Sequence, residues 1–108
     1  MAKFEYSEFL DLLLELKNHE FEWDKGNEIK SELKHGFLSH EAEEVFYDDE
    51  MLVLGKQILP IVGESRFGII GKTFEGRILF ISFTIRNAKI RIISARTANV
   101  FERAEYEK

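Results

Sequence analysis

The chain has 108 residues, a hydrophobic fraction of 44% and no cysteine, which fits one packed domain and excludes disulfide frameworks and thiolate metal sites. No apolar run approaches the roughly 20 residues that cross a bilayer, and acidic residues interrupt the apolar start of the chain, so neither a membrane span nor a signal peptide is predicted. A soluble protein of a reducing cytoplasm, with a single domain over residues 1–108, is therefore expected.

The net charge of −5 conceals an uneven distribution along the chain. Residues 1–50 carry 5 basic and 15 acidic side chains, whereas residues 51–108 carry 10 basic and 5 acidic ones. Between residues 66 and 103, eight basic side chains accompany only Glu75 and Glu102. Such a basic half is able to bind phosphates even within an acidic protein.

The first element in chain order is a helix with an apolar stripe. It is predicted from Ser7, a suitable N-cap, to about Asn18. The stripe is expected to pack in the core, although a dimer or partner surface is the alternative. Its members are Phe9, Leu12, Leu13 and Leu16, widened by Leu10 and Leu14.

A short strand and two further helices are predicted next. The segment "HEFEWD" indicates a strand that ends at Asp24, followed by a helix over about 25–35 that ends at Gly36. A third helix begins near Ser39. Its expected inward residues are Ala42, Val45 and Phe46, and its expected solvent-facing residues are Glu41, Glu43 and Glu44.

The second half of the chain changes to strand periodicity. "MLVLG" and "ILPIVG" are short strand-like runs, and "RFGIIGK", "RILFISFTI" and "KIRIISAR" are longer ones joined by the turns "TFEG" and "RNA". The final segment returns to helical spacing, with Val100 and Ala104 on one face. The predicted fold class is α+β, an antiparallel meander with helices packed on one face and a C-terminal helix.

The strand "KIRIISAR" places several basic side chains inside an apolar run. Strict alternation puts Arg91 and Arg96 on opposite faces of the sheet, and Arg91 has a simple alternative as a solvated charge. Arg96 ends the strand where a helix begins. Its guanidinium and the amides of residues 97–99 are therefore placed to share an anion.

The acidic residues of the first half do not complete a recognisable metal site. His40 and Glu44 lie four residues apart, and "DDE" follows at 48–50, but a second histidine that would complete a recognisable ligand set is missing. The prediction is therefore no metal and a solvated acidic face.

Several short motifs occur together in order: "FEWD" at 21–24, "KHG" at 34–36, "ESRFGIIG" at 64–71, "GR" at 76–77, "TIR" at 84–86 and "IRIISARTA" at 90–98, followed by Glu102 and Tyr106. Together they resemble the BrnT family, ribonuclease toxins of bacterial toxin–antitoxin pairs with a fold related to RelE. The resemblance covers about residues 21–107, which makes residues 1–19 a helical extension of a core at 20–108.

The resemblance implies an endoribonuclease that cleaves RNA without a metal or cofactor and inhibits translation and growth. It also implies neutralisation by a BrnA-like antitoxin with a ribbon-helix-helix part, in a heterotetramer with the toxin. This chain departs from the family at 58–63, where "ILPIVG" replaces a polar segment that often contains histidine. The alternative is a catalytically weak or inactive module on the same fold that binds an antitoxin or regulates.

Metal-independent cleavage needs a base for the 2′-hydroxyl, cations for the phosphorane and an acid for the leaving oxygen. The candidate catalytic residues are His35, Glu64, Arg66, Arg96 and Tyr106, and the candidate RNA-binding residues are Lys34, Arg77, Arg86 and Arg91. Each type has a structural alternative: an ion pair for an arginine, a helix cap for the histidine, an orienting role for Glu64 or Glu102, and packing for the tyrosine.

Overall fold

Residues 2–16, 19–23, 36 and 39–108 are described by the computed structural model. Within these ranges the strands are β1 Lys3–Glu5, β2 Phe21–Trp23, β3 Leu52–Leu59, β4 Phe67–Lys72, β5 Ile78–Arg86 and β6 Lys89–Thr97. The helices are α1 Glu8–Glu15, α2 Ser39–Glu44, a 3₁₀ turn Val45–Tyr47 and α3 Val100–Tyr106. The helix predicted over 25–35, with Lys34 and His35, lies outside the described residues. None of the helices seen in the described ranges is long and apolar enough to cross a membrane.

The six strands form one sheet in the order β1-β3-β4-β5-β6-β2. Strands β3 to β6 make the predicted antiparallel meander, which confirms the α+β class. Two short strands add to its edges: β1 pairs antiparallel with β3, and β2 pairs parallel with β6. A parallel pair needs a long connection, and the chain between β2 and β6, which includes α2 and strands β3 to β5, provides it.

Strand β3 corrects the prediction of two separate runs, since it continues from Leu52 to Leu59 through Gly55. Gly55 has φ of +106°, and the ladder to β4 shifts register between Val53 and Gly55. A β-bulge at a glycine lets the strand bend and keep pairing. Of the predicted second run, 58–63, only Ile58 and Leu59 are in a strand, as the end of β3, and residues 60–66 form no strand.

One face of the sheet, the core face, carries the main apolar core. Phe46 lies at its centre, with its ring 5.0 Å from that of Phe83 and 5.2 Å from that of Phe21. As predicted, Ala42, Val45 and Phe46 are buried. The buried cluster contains Leu10, Leu14, Ala42, Val45, Phe46, Phe67, Ile69, Leu79, Ile81, Phe83, Ile90, Ile92 and Ala95.

Helix α1 forms where predicted, and the Ser7 side chain accepts a hydrogen bond from the Leu10 N–H at 3.3 Å. It packs in the core through Leu10 and Leu14. The predicted core packing is wrong for much of the stripe, because Phe9, Leu12 and Leu16 are exposed. This helix is apolar on two sides, and spacing alone does not reveal which side meets the sheet.

Helix α3 also forms where predicted, with a capping box between Asn99 and Glu102. Val100 and Ala104 are both exposed. The helix lies over the face of the sheet opposite the core, which we name the second face. There Phe101 and Glu102, together with sheet residues such as Phe80, line a groove of about 350 Å³.

Replacing Gly55 by alanine is expected to lower the free energy of unfolding by about 2–4 kcal/mol. The positive φ is unfavourable for alanine, and a Cβ at this position would collide with the Glu5 carbonyl group of β1. Urea unfolding followed by circular dichroism measures the change. The matched control is Gly63→Ala, where a Cβ meets nothing within 4 Å, and it is expected to change the free energy by less than about 0.5 kcal/mol. Equal effects of the two substitutions would contradict the tight contact at Gly55.

Candidate active site

The second face of the central strands is polar on β5 and β6. On β5, Phe80, Ser82 and Thr84 alternate with the core residues, and Ser82 and Thr84 are buried polar groups. Ser82 pairs with Ser94 of β6, and Thr84 pairs with Arg91. Hydroxyl groups and a guanidinium therefore lie side by side on this face.

A β-bulge in β6 brings Arg91 and Arg96 to the same face. Ser82 pairs with Ser94 but its neighbour Phe83 pairs with Ile92, so β6 contains one extra residue. The extra residue reverses the alternation beyond it. The prediction that Arg91 and Arg96 point to opposite faces is therefore wrong.

Arg96 is bound by a carboxylate of the chain itself. Its Nη1 and Nη2 donate to Glu102 Oε1 and Oε2 at 2.7 and 2.8 Å, and its guanidinium lies 4.5 Å from the centroid of the Phe80 ring. Glu102 Oε1 also accepts from the Asn99 N–H at 2.9 Å. The Glu102 carboxylate thus occupies the place where the sequence predicted a bound anion, and it joins the arginine to the helix start.

The Arg96–Glu102 pair shifts the pKa of both groups. Partial burial raises the pKa of Glu102, but the hydrogen bonds from Arg96 and the Asn99 N–H, with the charge of Arg96, lower it overall. The hydrogen bond to Glu102 raises the pKa of Arg96. Glu102 therefore stays ionised and orients Arg96, and it is poorly suited to take a proton from RNA.

Tyr106 is bound to an aspartate that the sequence did not single out. Its O–H donates to Asp48 Oδ2 at 2.6 Å, and the same oxygen accepts from the Lys72 N–H at 2.9 Å. Burial and the bond to Asp48 raise the pKa of Tyr106 above its usual range. Asp48 thus fastens α3 to the end of β4, and the phenolic proton is already engaged.

The prediction of a solvated acidic face is wrong for several of its carboxylates. Glu43 accepts from the Trp23 indole N–H at 2.9 Å, and Glu44 accepts from the Phe74 N–H at 2.9 Å. Asp48 accepts the bonds from Tyr106 and Lys72. The solvent-facing positions of α2 therefore also bind the ends of neighbouring strands. In the part of the chain that the structure describes, His, Cys, Asp and Glu side chains form no group of three or more that could hold a metal ion.

Three further candidate arginines form ion pairs. Arg91 Nη1 lies 2.9 Å from Glu22 Oε1, Arg77 Nη1 lies 3.5 Å from Glu41 Oε2, and Arg86 Nη2 lies 3.4 Å from Glu64 Oε2. Arg77 also donates to the Gly36 carbonyl at 3.2 Å, which places the last residue of the "KHG" motif beside β5. The predicted structural alternative for arginines, an ion pair, therefore applies to each of these three.

Arg66 differs from the other candidate arginines, because its Nε is buried and has no hydrogen-bond partner among the described residues. Its carbonyl accepts from the Gln57 N–H at 2.7 Å, which extends the ladder, and the next residue, Phe67, packs in the core. Alternation therefore places Arg66 on the second face, in the row that contains Thr84 and Arg91. A buried N–H without an acceptor costs about 1–3 kcal/mol.

The structure brings some predicted site residues together and separates others. Arg66 and Arg91 flank Thr84, with about 5 Å between neighbouring Cα atoms. Arg96 lies beside Phe80, four residues further along β5, which is about 13 Å away. The buried hydroxyls of Ser82 and Thr84 were missed, although polar residues alternating with Ile81, Phe83 and Ile85 signal a polar second face.

A model of the family described as "Ribonuclease toxin, BrnT, of type II toxin-antitoxin system" matches residues 23–102. The chain belongs to the BrnT family. The crystal structure of the Brucella abortus ribonuclease toxin BrnT is similar with a TM-score of 0.55 at 20% identity, and the match covers 76% of this chain and 99% of that toxin. At this identity the likeness shows the shared fold. The search of curated protein sequences found no match.

The family match includes some of the candidate site residues and leaves others outside. Arg66, Arg91 and Arg96 lie within the matched residues, whereas β1, α1 and Tyr106 lie outside them. A type II toxin–antitoxin family implies an antitoxin partner for the chain. Strand β1 and helix α1 thus precede the matched residues 23–102.

The substitution Glu102→Gln tests the pair with Arg96. Glutamine retains the capping box but removes the charge, so the free energy of unfolding at pH 7 is expected to fall by about 1 kcal/mol. Because the folded pKa of Glu102 is lowered, its contribution is present above the unfolded pKa of about 4.3 and is lost as pH falls through the folded value. The difference from wild type should therefore shrink between pH 7 and pH 3, measured by urea unfolding.

The control for this test is Glu105→Gln, which removes an exposed pair with Lys108 at 3.1 Å. An exposed ion pair of this kind contributes little to stability, so the expected change in the free energy of unfolding is below about 0.5 kcal/mol at both pH 7 and pH 3. A Glu102→Gln deficit that stays constant from pH 7 to pH 3 would show that the ion pair is not its source.

Proposed function

We propose that this chain is the toxin of a bacterial toxin–antitoxin pair and a metal-independent endoribonuclease. In this proposal it cleaves RNA in the cytoplasm, inhibits translation and growth, and is neutralised by a BrnA-like ribbon-helix-helix antitoxin in a heterotetramer. Family membership supports the class of protein. The observation that supports the activity is the position of Arg66 on the second face, where its buried Nε has no hydrogen-bond partner among the described residues.

Arg66 has the chemistry that a scissile phosphate requires. A guanidinium presents planar donors that match two phosphate oxygens, and it stabilises the extra negative charge of the phosphorane. Among the described residues, no acceptor binds the buried Nε of Arg66, so this side chain is not committed through that atom to an internal ion pair. The Nη groups of its half-buried guanidinium are the proposed donors to the phosphate. RNA that lies across β5 and β6 would also pass Thr84 and Arg91 in the same row.

The remaining candidates have weaker or secondary parts in this proposal. Glu64 and Arg86 form an exposed pair at 3.4 Å, which is weak enough for a phosphate to displace the carboxylate, so Glu64 is the proposed base. His35 and Lys34 are the proposed acid and phosphate contact, next to Gly36, which Arg77 binds. Arg96 and Tyr106 are proposed to position α3, because Glu102 and Asp48 bind them.

The substitution Arg66→Met is expected to lower RNA cleavage at least about 100-fold, because it removes charge stabilisation of the phosphorane. It retains an unbranched apolar stem and removes a donor without a partner, so the free energy of unfolding should change by less than about 1 kcal/mol. The measurement is cleavage of mixed cellular RNA by purified protein in EDTA, with and without ribosomes, beside urea unfolding. Cleavage that EDTA abolishes would contradict metal independence.

The matched control is Arg103→Met on α3, since Arg103 is exposed and lies away from the row of Arg66 and Thr84. It removes the same charge and should leave the cleavage rate within about twofold, because a distant exposed charge contributes little. An Arg66→Met protein that cleaves RNA as fast as the Arg103→Met protein would exclude Arg66 from the active site.

A second candidate function is an antitoxin-binding or regulatory module without nuclease activity. It is favoured by the ion pairs at Arg77, Arg86, Arg91 and Arg96 and by the apolar segment 58–63, in which Ile61 is 88% exposed. Strong expression of the chain alone separates the two functions. Growth arrest that Arg66→Met relieves supports the nuclease, whereas normal growth with folded wild-type protein and no cleavage supports the module.

A further inference from the structure

Helix α1 presents an apolar stripe to solvent although another side of it already packs in the core. Leu10 and Leu14 are buried, whereas Phe9, Leu12 and Leu16 are 58%, 58% and 63% exposed. The three exposed residues are spaced i, i+3 and i+7, so they lie along one side of the helix, ending at its C-cap. We name Phe9, Leu12 and Leu16 the α1 stripe. A helix that is apolar on both sides is typical of an element covered by a partner.

A row of carboxylates runs beside the α1 stripe. Glu8, Asp11 and Glu15 have the same i, i+3, i+7 spacing and lie on the side next to Leu12. Asp11 and Glu15 also line a cleft of about 400 Å³ together with Asp48, Asp49 and the apolar residues Leu14, Met51 and Val53. The surface therefore pairs an apolar row with an acidic cleft.

The N-terminal end of the α1 stripe, at Phe9, lies beside the candidate active site. Phe9 lines a pocket of about 490 Å³ together with Lys56, Glu64, Ser65 and Thr84. Ser65 directly precedes Arg66, and Glu64 pairs with Arg86. A molecule that covers the stripe and enters this pocket lies next to the loop that holds Arg66.

We propose that the α1 stripe binds a basic amphipathic helix of the antitoxin. Apolar side chains at i, i+3 and i+7 are the anchors of helix recognition, and the carboxylates alongside them require cations on the bound helix. A second copy of the chain fits poorly, because an isologous contact would bring the two rows of Glu8, Asp11 and Glu15 together. The family implies the antitoxin, and this identity rests on the proposed function.

This surface is a feature of this chain rather than of the matched family region. Residues 23–102 match the family, whereas α1 ends at Glu15. The extension is nevertheless integrated with the fold, since β1 pairs with β3 and Leu10 and Leu14 pack in the core. The inference is therefore that the extension supplies a partner surface held rigidly beside the active site.

Two synthetic peptides of about 18 residues serve as probes, a length that spans the stripe as a helix. Both carry leucine at the i, i+3, i+4 and i+7 positions, with lysine at the other positions in one peptide and glutamate in the other. Calorimetric titration of the full chain is expected to show binding of the lysine peptide and none of the glutamate peptide. The double substitution Leu12→Ser, Leu16→Ser should weaken the affinity of the chain for the lysine peptide at least about tenfold, because it removes two apolar anchors.

Two further variants test whether peptide binding depends on the α1 stripe and its acidic row rather than on any exposed apolar or charged residue. Val100→Ser removes an apolar side chain that is 71% exposed on α3, and it should leave the affinity unchanged. Asp11→Asn with Glu15→Gln should weaken binding and reduce its dependence on salt, because the acidic row is lost. Circular dichroism and urea unfolding establish that each variant is folded.

Equal affinity of the lysine peptide for wild type and for the Leu12→Ser, Leu16→Ser protein would overturn the inference, as would no binding to wild type. A wild-type dimer in analytical ultracentrifugation that the same variant converts to monomer would assign the stripe to a second copy instead. None of these readouts uses RNA. Loss of the proposed ribonuclease activity therefore leaves this result interpretable, and failure of the peptide test leaves the ribonuclease proposal standing.

Discussion

The antiparallel ladder between β5 and β6 is the constraint on which the core and the candidate site both depend. It pairs Leu79 through Arg86 with Lys89 through Thr97 and accommodates one extra residue in β6. On the core face it aligns Ile81 with Ala95 and Phe83 with Ile92. On the second face it aligns Thr84 with Arg91 and Phe80 with Arg96. A slip of one residue would move every apolar side chain of a strand to the other face, so burial of the core also holds the arginines in place.

The segregation of charge along the chain has a structural use as well as a functional one. Acidic residues of the first half bind basic groups or amides of the second half, as in Glu22 with Arg91 and Glu41 with Arg77. Asp48 accepts from Tyr106 and from the Lys72 N–H in the same way. Much of the basic surface is thereby neutralised within the molecule. Within the part of the chain that the structure describes, the buried Arg66 Nε has no hydrogen-bond partner, and Arg66 is therefore the arginine proposed to bind phosphate.

The N-terminal segment that contains β1 and α1 contributes to the fold and also presents the proposed partner surface. Strand β1 extends the sheet beyond β3, which covers an edge that would otherwise expose unpaired backbone groups. Helix α1 closes part of the core through Leu10 and Leu14 and presents Phe9, Leu12 and Leu16 outward. Because the same short helix does both, the proposed partner surface is held by the core and not by a loose tail.

The sequence by itself determined the α+β class, the meander, the N-cap of α1 at Ser7, the presence of a C-terminal helix and the family motifs, because periodicity, caps and turns are local properties. It did not reveal the parallel pairing of β2 with β6, the bulge that brings Arg91 and Arg96 to one face, or the outward side of α1. It also offered Arg66 and Arg96 as equivalent cations. Only the tertiary structure distinguished them, because a carboxylate six residues away binds Arg96 while packing buries the Arg66 Nε without an acceptor. The β2 pairing and the burial of Arg66 arise from contacts between distant segments, and even the Arg96–Glu102 pair depends on how α3 lies against β6, so local pattern does not encode them.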